Sequence, residues 1–120
     1  FLRTRNTTPQ GIVDGTIENM NFGPGLAVVR FKGLVDTVLI ANVTPITNEL
    51  TRAHYAFIQP KPANEMMARF GKALVDNICQ QMEEDKIIWD RKKYYTKPLL
   101  CDGDGPFAKF RKWYSQFLVE

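Results

Sequence analysis

A carboxylate stands out in the stretch NICQQMEEDKIIWDRKKYY because it falls on the apolar side of what looks like a helix. At about 100° per residue, Asp85 shares one helix face with Ile78 and Trp89. An ionised carboxylate on a buried face is costly unless it is paired or bound to a metal, so metal binding or acid–base chemistry is one interpretation. Two simpler interpretations remain open. The helix could break at EED and leave Asp85 exposed, or Asp85 could pair with an arginine or with His54.

Three further residues are candidates for the same site. Trp89 follows Asp85 by one helical turn, so its indole could line a shared cavity or simply anchor the helix to a sheet. Asn42 is the polar residue in the apolar run VLIANVTPI, and it could face the cavity or make a hydrogen bond at a strand end. His54 is the only histidine, and we expect a strand histidine rather than a metal ligand, so a two-histidine site cannot come from this chain alone.

The first half of the chain predicts the strands that would carry such a site. Four runs are β-branched or alternate polar and apolar residues, and Gly, Pro and Asn separate them. The spacing indicates a mostly antiparallel meander within residues 12 to 60. The four runs are GTIENMNF, LAVVRFKG, DTVLIANVTPI and ELTRAHYAFIQP, with turns expected at PQG and GPG.

The second half predicts helices. A long helix is expected from PANEMM to RKKY, with Asn64 as N-cap and an apolar arc on one side. A short terminal helix, PFAKFRKWYSQFLV, is expected to begin near Asp104 with Pro106 in its first turn. Strands followed by a long helix indicate an α+β fold, with the helix packed on one face of a curved antiparallel sheet. The arc consists of Met67, Phe70, Leu74, Ile78, Met82 and Trp89.

Composition excludes several classes of function. The chain has 120 residues, 44% hydrophobic and 24% charged, which is the balance of a single globular domain. Its net charge is +3, and its basic residues are scattered except in RKKYY and KFRKWY, which indicates a mildly cationic surface and not a nucleic-acid groove. The sequence has no membrane-spanning run or signal-peptide core, and Cys79 and Cys101 are expected to be reduced, which favours a cytoplasmic location.

Two motifs invite other functions that the residues around them do not support. CDGDGPFAKFRKW lacks the spaced acidic ligands of a calcium loop, so we expect a turn before the last helix. RKKYY mixes basic and aromatic residues as single-strand binders do, but its position after Trp89 favours a solvated helix end.

The run QMEEDKIIWDRKKYYTKPLLCDGDGPFAKFRKWYSQF resembles the C-terminal end of Rieske non-haem iron oxygenases. Within that family it is similar to the steroid-active group, the 3-ketosteroid 9α-hydroxylase oxygenase components and Neverland-type cholesterol 7-desaturases. The shared features are an acidic ED before IIW, then PLL followed by DGDGP, then RKWYSQF. The similarity is specific over residues 81 to 118 and looser upstream, around VTPITNELTRAHYAF. It covers only the distal part of the family's catalytic domain.

The resemblance implies a helix-grip (START-like) antiparallel sheet with a long C-terminal helix across it, of which residues 1–120 form a part. It implies a mononuclear Fe(II) held by two histidines and one carboxylate, and the carboxylate of the family matches Asp85. Trp89 would then line a pocket for a flat, steroid-like or sterol-like substrate. Asn42 is the second residue that we expect to contact the substrate.

The resemblance also sets what the chain lacks. The family's H-x4-H iron ligands and its paired Cys/His cluster signature are absent, so the chain alone is expected to be inactive and to bind no cofactor. The complete parent would hydroxylate or desaturate its substrate with Fe(II), a [2Fe–2S] cluster, dioxygen and a ferredoxin or reductase, as a homotrimer. The alternative is a non-enzymatic helix-grip module that binds a sterol or lipid.

Overall fold

A computed structural model describes residues 2–8 and 11–119, and the side chains of all of these except residues 6–8. Five strands are followed by two helices, so the α+β class is confirmed. The chain divides into two compact units, Phe1–Cys79 and Gln80–Glu120, each described by itself below. The elements are β1 (Leu2–Thr8), β2 (Gly11–Asn21), β3 (Leu26–Lys32), β4 (Thr37–Pro45), β5 (Thr51–Ile58), α1 (Glu65–Trp89) and α2 (Phe107–Ser115).

The strands form one sheet in the order β1-β2-β3-β4-β5, and every neighbouring pair is antiparallel. The predicted antiparallel meander is therefore confirmed. The expected GPG turn joins β2 to β3, where the Phe22 amide donates to the Leu26 carbonyl at 2.8 Å. Gly25 is required there, because a Cβ at this position would lie 2.5 Å from the Val43 carbonyl oxygen.

The strand β1 is not predicted by the sequence pattern. Its seven residues, LRTRNTT, contain one apolar side chain and give no alternation signal. It pairs along its whole length with β2, which begins at Gly11, four residues before the expected start. A polar, charged strand suits its position at the edge of the sheet. Pro9 and Gln10 of the expected PQG turn lie outside the described residues.

Asn64 caps the long helix as expected. Its side-chain oxygen accepts a hydrogen bond at 2.9 Å from the Met67 amide, one of the four N–H groups that a helix start leaves unpaired. The helix α1 then runs 25 residues without a break and ends at Trp89, five residues before the predicted end at Tyr94. The EED sequence does not interrupt it.

A half-buried glutamine joins α1 to the sheet in the first unit. The Gln59 side-chain amide donates to the Thr37 hydroxyl at 2.9 Å and to the Gly71 carbonyl of α1 at 3.0 Å. Thr37 is 1% exposed, and a Cβ at Gly71 would lie 2.7 Å from Gln59 Oε1. The helix therefore approaches the sheet closely only because position 71 has no side chain.

The terminal helix α2 begins later than predicted, at Phe107, with Pro106 in the N-cap position and no side-chain cap. Asp104 lies in the preceding turn, where its carboxylate accepts the Cys101 amide at 2.7 Å and its own amide donates to the Cys101 carbonyl at 3.0 Å. This local pairing explains why the helix cannot begin at Asp104. Among the described residues, no helix is both long enough and apolar enough to cross a membrane.

Candidate functional site

The apolar arc of α1 loses its burial towards the C-terminal end of the helix. Ile78 is buried and Met82 is half-buried, whereas Asp85 is exposed and Trp89 is 48% exposed. Our expectation of a carboxylate on a buried face is therefore wrong for this chain, and the desolvation argument for Asp85 does not apply. The predicted spacing of Asp85 and Trp89 is confirmed, because α1 continues through both residues and keeps them one turn apart on one side of the helix.

Two neighbouring acidic residues, Glu84 and Asp90, have side-chain partners, whereas Asp85 and Glu83 have no hydrogen bond or ion pair within residues 80–119. Glu84 accepts a hydrogen bond from the Gln80 side chain at 2.9 Å, and Asp90 forms an ion pair with Lys86 at 2.5 Å. The hydrogen bond to Asp90, and next the charge of Asp90, raise the pKa of Lys86. Asp85 thus presents a carboxylate that its own unit leaves open to a ligand.

The described residues do not by themselves fit an iron site. In the described parts of the chain no group of three or more His, Cys, Asp or Glu side chains could hold a metal ion. His54, the only histidine of the chain, is exposed on β5 in the first unit. Cys79 and Cys101 are both free and exposed. The role of Asp85 as a metal ligand therefore stays a prediction.

A weak affinity for Fe(II) is the first prediction. Anaerobic calorimetric titration of this 120-residue chain should give a dissociation constant weaker than roughly micromolar, because that affinity needs about 8 kcal/mol, more than one exposed carboxylate supplies. The Asp85→Ala chain serves as the control and should give the same weak heats. Stoichiometric binding of Fe(II) tighter than roughly micromolar would contradict the prediction, and its loss in the Asp85→Ala chain would place the metal at Asp85.

Asn42 makes a local contact in the structure. It is exposed on β4, lies opposite His54 on β5, and accepts a hydrogen bond from the Thr44 hydroxyl at 3.1 Å. Strand alternation places Asn42 on the face opposite Leu39, and Leu39 shares its face with Thr37, which Gln59 links to α1. The strand-end hydrogen bond is thus observed, and contact with a substrate stays a prediction.

An arginine that the sequence reasoning missed organises the second unit. The guanidinium of Arg111 lies 4.5 Å from the ring centre of Tyr94 and 4.6 Å from that of Phe107. It also donates to the carbonyls of Tyr95 at 2.7 Å and Thr96 at 3.2 Å. The signal was present as an arginine among aromatic residues in KFRKWY and a second aromatic pair in KKYY. Only folding brings the two together.

A cavity of about 540 Å³ lies in the first unit, between the β3–β4 turn and the start of α1. Its walls are mainly apolar, and Gln59, Asp36, Lys61 and Lys72 supply the polar groups. Sites for small apolar molecules typically have volumes of about 300–1,000 Å³, so the cavity is large enough for a ligand. Its main apolar residues are Leu34, Val35, Pro60, Pro62, Met67 and Ala68.

Comparison with known proteins assigns the chain to a family. The family described as "3-Ketosteroid 9alpha-hydroxylase C-terminal domain" matches residues 3–118. A cholesterol 7-desaturase of Xenopus laevis is 31% identical over 88% of the chain and 23% of its own length. A cholesterol 7-desaturase of Caenorhabditis elegans is 35% identical over 82% of the chain and 22% of its own length.

A bacterial relative matches the whole chain. The oxygenase component of a 3-ketosteroid-9-alpha-monooxygenase from Rhodococcus rhodochrous is 28% identical over 100% of the chain and 35% of its own length. The chain thus spans between 22% and 35% of the length of these three relatives. The match over residues 3–118 includes the helix with Asp85 and Trp89 and the aromatic helix that follows. The chain therefore belongs to the 3-ketosteroid 9α-hydroxylase C-terminal domain family.

Proposed function

We propose that the chain is the C-terminal portion of the catalytic domain of a Rieske-type oxygenase that hydroxylates or desaturates a steroid-like or sterol-like ring compound. The observation that carries the proposal is the family match over residues 3–118, in which an unpaired carboxylate and a large indole lie one turn apart on α1. The helix-grip arrangement, with α1 across the sheet, belongs to the same proposal. It is supported by the contact of Gln59 with Gly71.

In this proposal Asp85 is the one iron ligand that the chain contributes. Its carboxylate is exposed and has no hydrogen-bond or ion-pair partner within residues 80–119, so it is free to bind a cation. Two histidine ligands must come from the rest of the parent protein, because His54 is the only histidine here. An iron held by two histidines and one carboxylate keeps positions open for dioxygen.

The rest of the proposed system lies outside this chain. A [2Fe–2S] cluster in the parent would deliver electrons, and a ferredoxin or reductase would supply them. A homotrimer of the parent is also proposed. The support for this part is the similarity to an oxygenase component, a name that implies a separate electron donor.

The proposed function is tested with the complete protein that contains this chain. Purified with iron and an electron donor, it should consume dioxygen and convert a 3-ketosteroid or a sterol into a hydroxylated or desaturated product. Product formation that requires both dioxygen and electrons would support the oxygenase. Tight binding of the same compounds without any product would support the carrier instead.

A carrier of apolar ligands is the second candidate function. The observation that favours it is the apolar cavity of about 540 Å³ in the first unit, in a chain whose described residues contain no grouped metal ligands. Titration of the 120-residue chain with a fluorescent sterol is the direct measurement. Saturable binding that Met67→Glu, a charge placed in the cavity wall, abolishes would support the carrier.

The role of Trp89 gives the second prediction. If its indole contacts a fused-ring substrate, Trp89→Phe should change the ratio of kcat/KM between a steroid and a smaller ring compound by about tenfold. The free energy of unfolding should change by only about 0.5 kcal/mol, because Trp89 is 48% exposed. Both quantities are measured on the complete protein.

A matched control is available in α2. Trp113 lies against Phe110 and Phe117, with ring centres 5.6 and 5.1 Å apart, so Trp113→Phe should lower the melting temperature and leave selectivity unchanged. A Trp89→Phe protein that behaves like this control, destabilised and with unaltered selectivity, would show that Trp89 is an anchor and not a pocket wall.

A further inference from the structure

The chain that follows α1 is held in place by few contacts. Tight-turn hydrogen bonds close the helix end: the Arg91 amide donates to the Ile88 carbonyl at 3.1 Å and the Lys92 amide to the Trp89 carbonyl at 3.2 Å. The side chains of residues 91–97 are exposed, so apolar burial contributes little to their order. Some other contact must fix the path of this segment.

Arg111 supplies that contact. It is half-buried although it is a long cation, and it reaches across 15 to 17 positions of sequence to Tyr94, Tyr95 and Thr96. Two carbonyls accept N–H groups of its guanidinium, and the guanidinium carbon lies over the ring of Tyr94. Phe107, one helical turn before Arg111, packs against the same guanidinium and fixes its orientation.

We propose that Arg111 is a positioning residue that clamps the segment Tyr94–Thr96 to α2 and thereby holds the end of α1 that carries Asp85 and Trp89. The role assigned to those two side chains rests on the proposed function, whereas the clamp itself does not. Between Lys92, bonded to the Trp89 carbonyl, and Tyr94, stacked on Arg111, only one residue intervenes. Displacement of Tyr94 is therefore transmitted to the last turn of α1.

The chemistry of the clamp requires arginine. A guanidinium is planar, holds several N–H donors in a fixed arrangement and stacks on aromatic rings. A lysine ammonium is a compact charge whose N–H donors rotate and which has no flat face to stack on a ring. Arg111→Lys keeps the charge and loses the stacking and the second carbonyl contact. Arg111→Met keeps an unbranched apolar stem and loses the guanidinium with all its polar contacts. Comparing these two variants separates the contribution of the positive charge from that of the guanidinium geometry.

Amide hydrogen exchange on the 120-residue chain tests the clamp without any cofactor. Arg111→Met should accelerate exchange at Asp90, Arg91 and Lys92 by tenfold or more, and Arg111→Lys should accelerate it to a smaller extent. Amides of β3 and β4 should keep their rates. Lys109→Met, a matched change at an exposed residue of the same helix, should leave all of these rates unchanged.

Three results would overturn the proposal: unchanged exchange at residues 90–92 in Arg111→Met, equal acceleration in the whole chain, or no protection of these amides before substitution. In the complete protein, Arg111→Lys should raise the KM for substrate more than it lowers kcat, since the pocket wall moves while the carboxylate remains present. If the exchange effect appears but the unsubstituted complete protein turns over no substrate, the proposed function fails and the clamp stands.

Discussion

If the proposed function holds, replacement of Asp85 by alanine in the complete protein should abolish turnover. Removal of groups that only support a metal ligand typically costs about 10–100-fold, so the loss of a ligand itself should exceed about 100-fold. The iron content of the mononuclear site should fall with the activity. The absorption spectrum of the proposed [2Fe–2S] cluster should be unchanged, because this chain contains no paired Cys/His cluster signature. Turnover and metal content of the same preparation are the measurements.

Glu83→Ala is the matched control, since it removes an exposed carboxylate two positions earlier on the same helix. This protein should keep its iron and most of its activity. An Asp85→Ala protein that retains iron and turns over at a rate within a few-fold of the unsubstituted protein would refute the assignment of Asp85 as a ligand. Equal losses in both proteins would indicate that the charge of the helix surface matters, and not a specific ligand.

Gln59→Leu should lower the stability of the first unit. The substitution removes the hydrogen bonds to Thr37 and to the Gly71 carbonyl, and each such bond contributes about 0.5–1.5 kcal/mol. The Thr37 hydroxyl, 1% exposed, cannot recover its partner from water. We therefore expect the free energy of unfolding of the 120-residue chain to fall by about 2 kcal/mol, measured by urea denaturation.

Gln80→Leu controls for the change of side chain, because Gln80 makes one exposed hydrogen bond to Glu84 four residues on. Its effect should stay within about 0.5 kcal/mol. Combining Gln59→Leu with Thr37→Val completes a double-mutant cycle, in which the two losses should not add, since both remove the same bond. Additive losses, or a Gln59→Leu effect no larger than the control, would show that the glutamine does not couple α1 to the sheet.

Local signals in the sequence were sufficient for most of the secondary structure. The strands β2 to β5 follow from alternation and β-branched residues, and GPG marks the turn between β2 and β3. The start of α1 follows from Asn64, because an N-cap acts on an amide only three residues away. Each of these features is decided by residues within a few positions of one another. Motifs of that kind also carried the family resemblance, which the match over residues 3–118 confirms.

Features that depend on a distant partner were decided by the tertiary structure. The polar strand β1 forms because β2 offers it an edge to pair with. Its seven residues contain one apolar side chain, so their pattern does not predict a strand. The helical wheel placed Asp85 correctly on the side of Ile78 and Trp89, but a wheel cannot say where along the helix burial stops, and it stops after Met82. Arg111 shows the same limit. Its residue type was visible in KFRKWY, yet its partners lie 15 to 17 positions away, and only the fold of residues 80–119 brings them to the guanidinium.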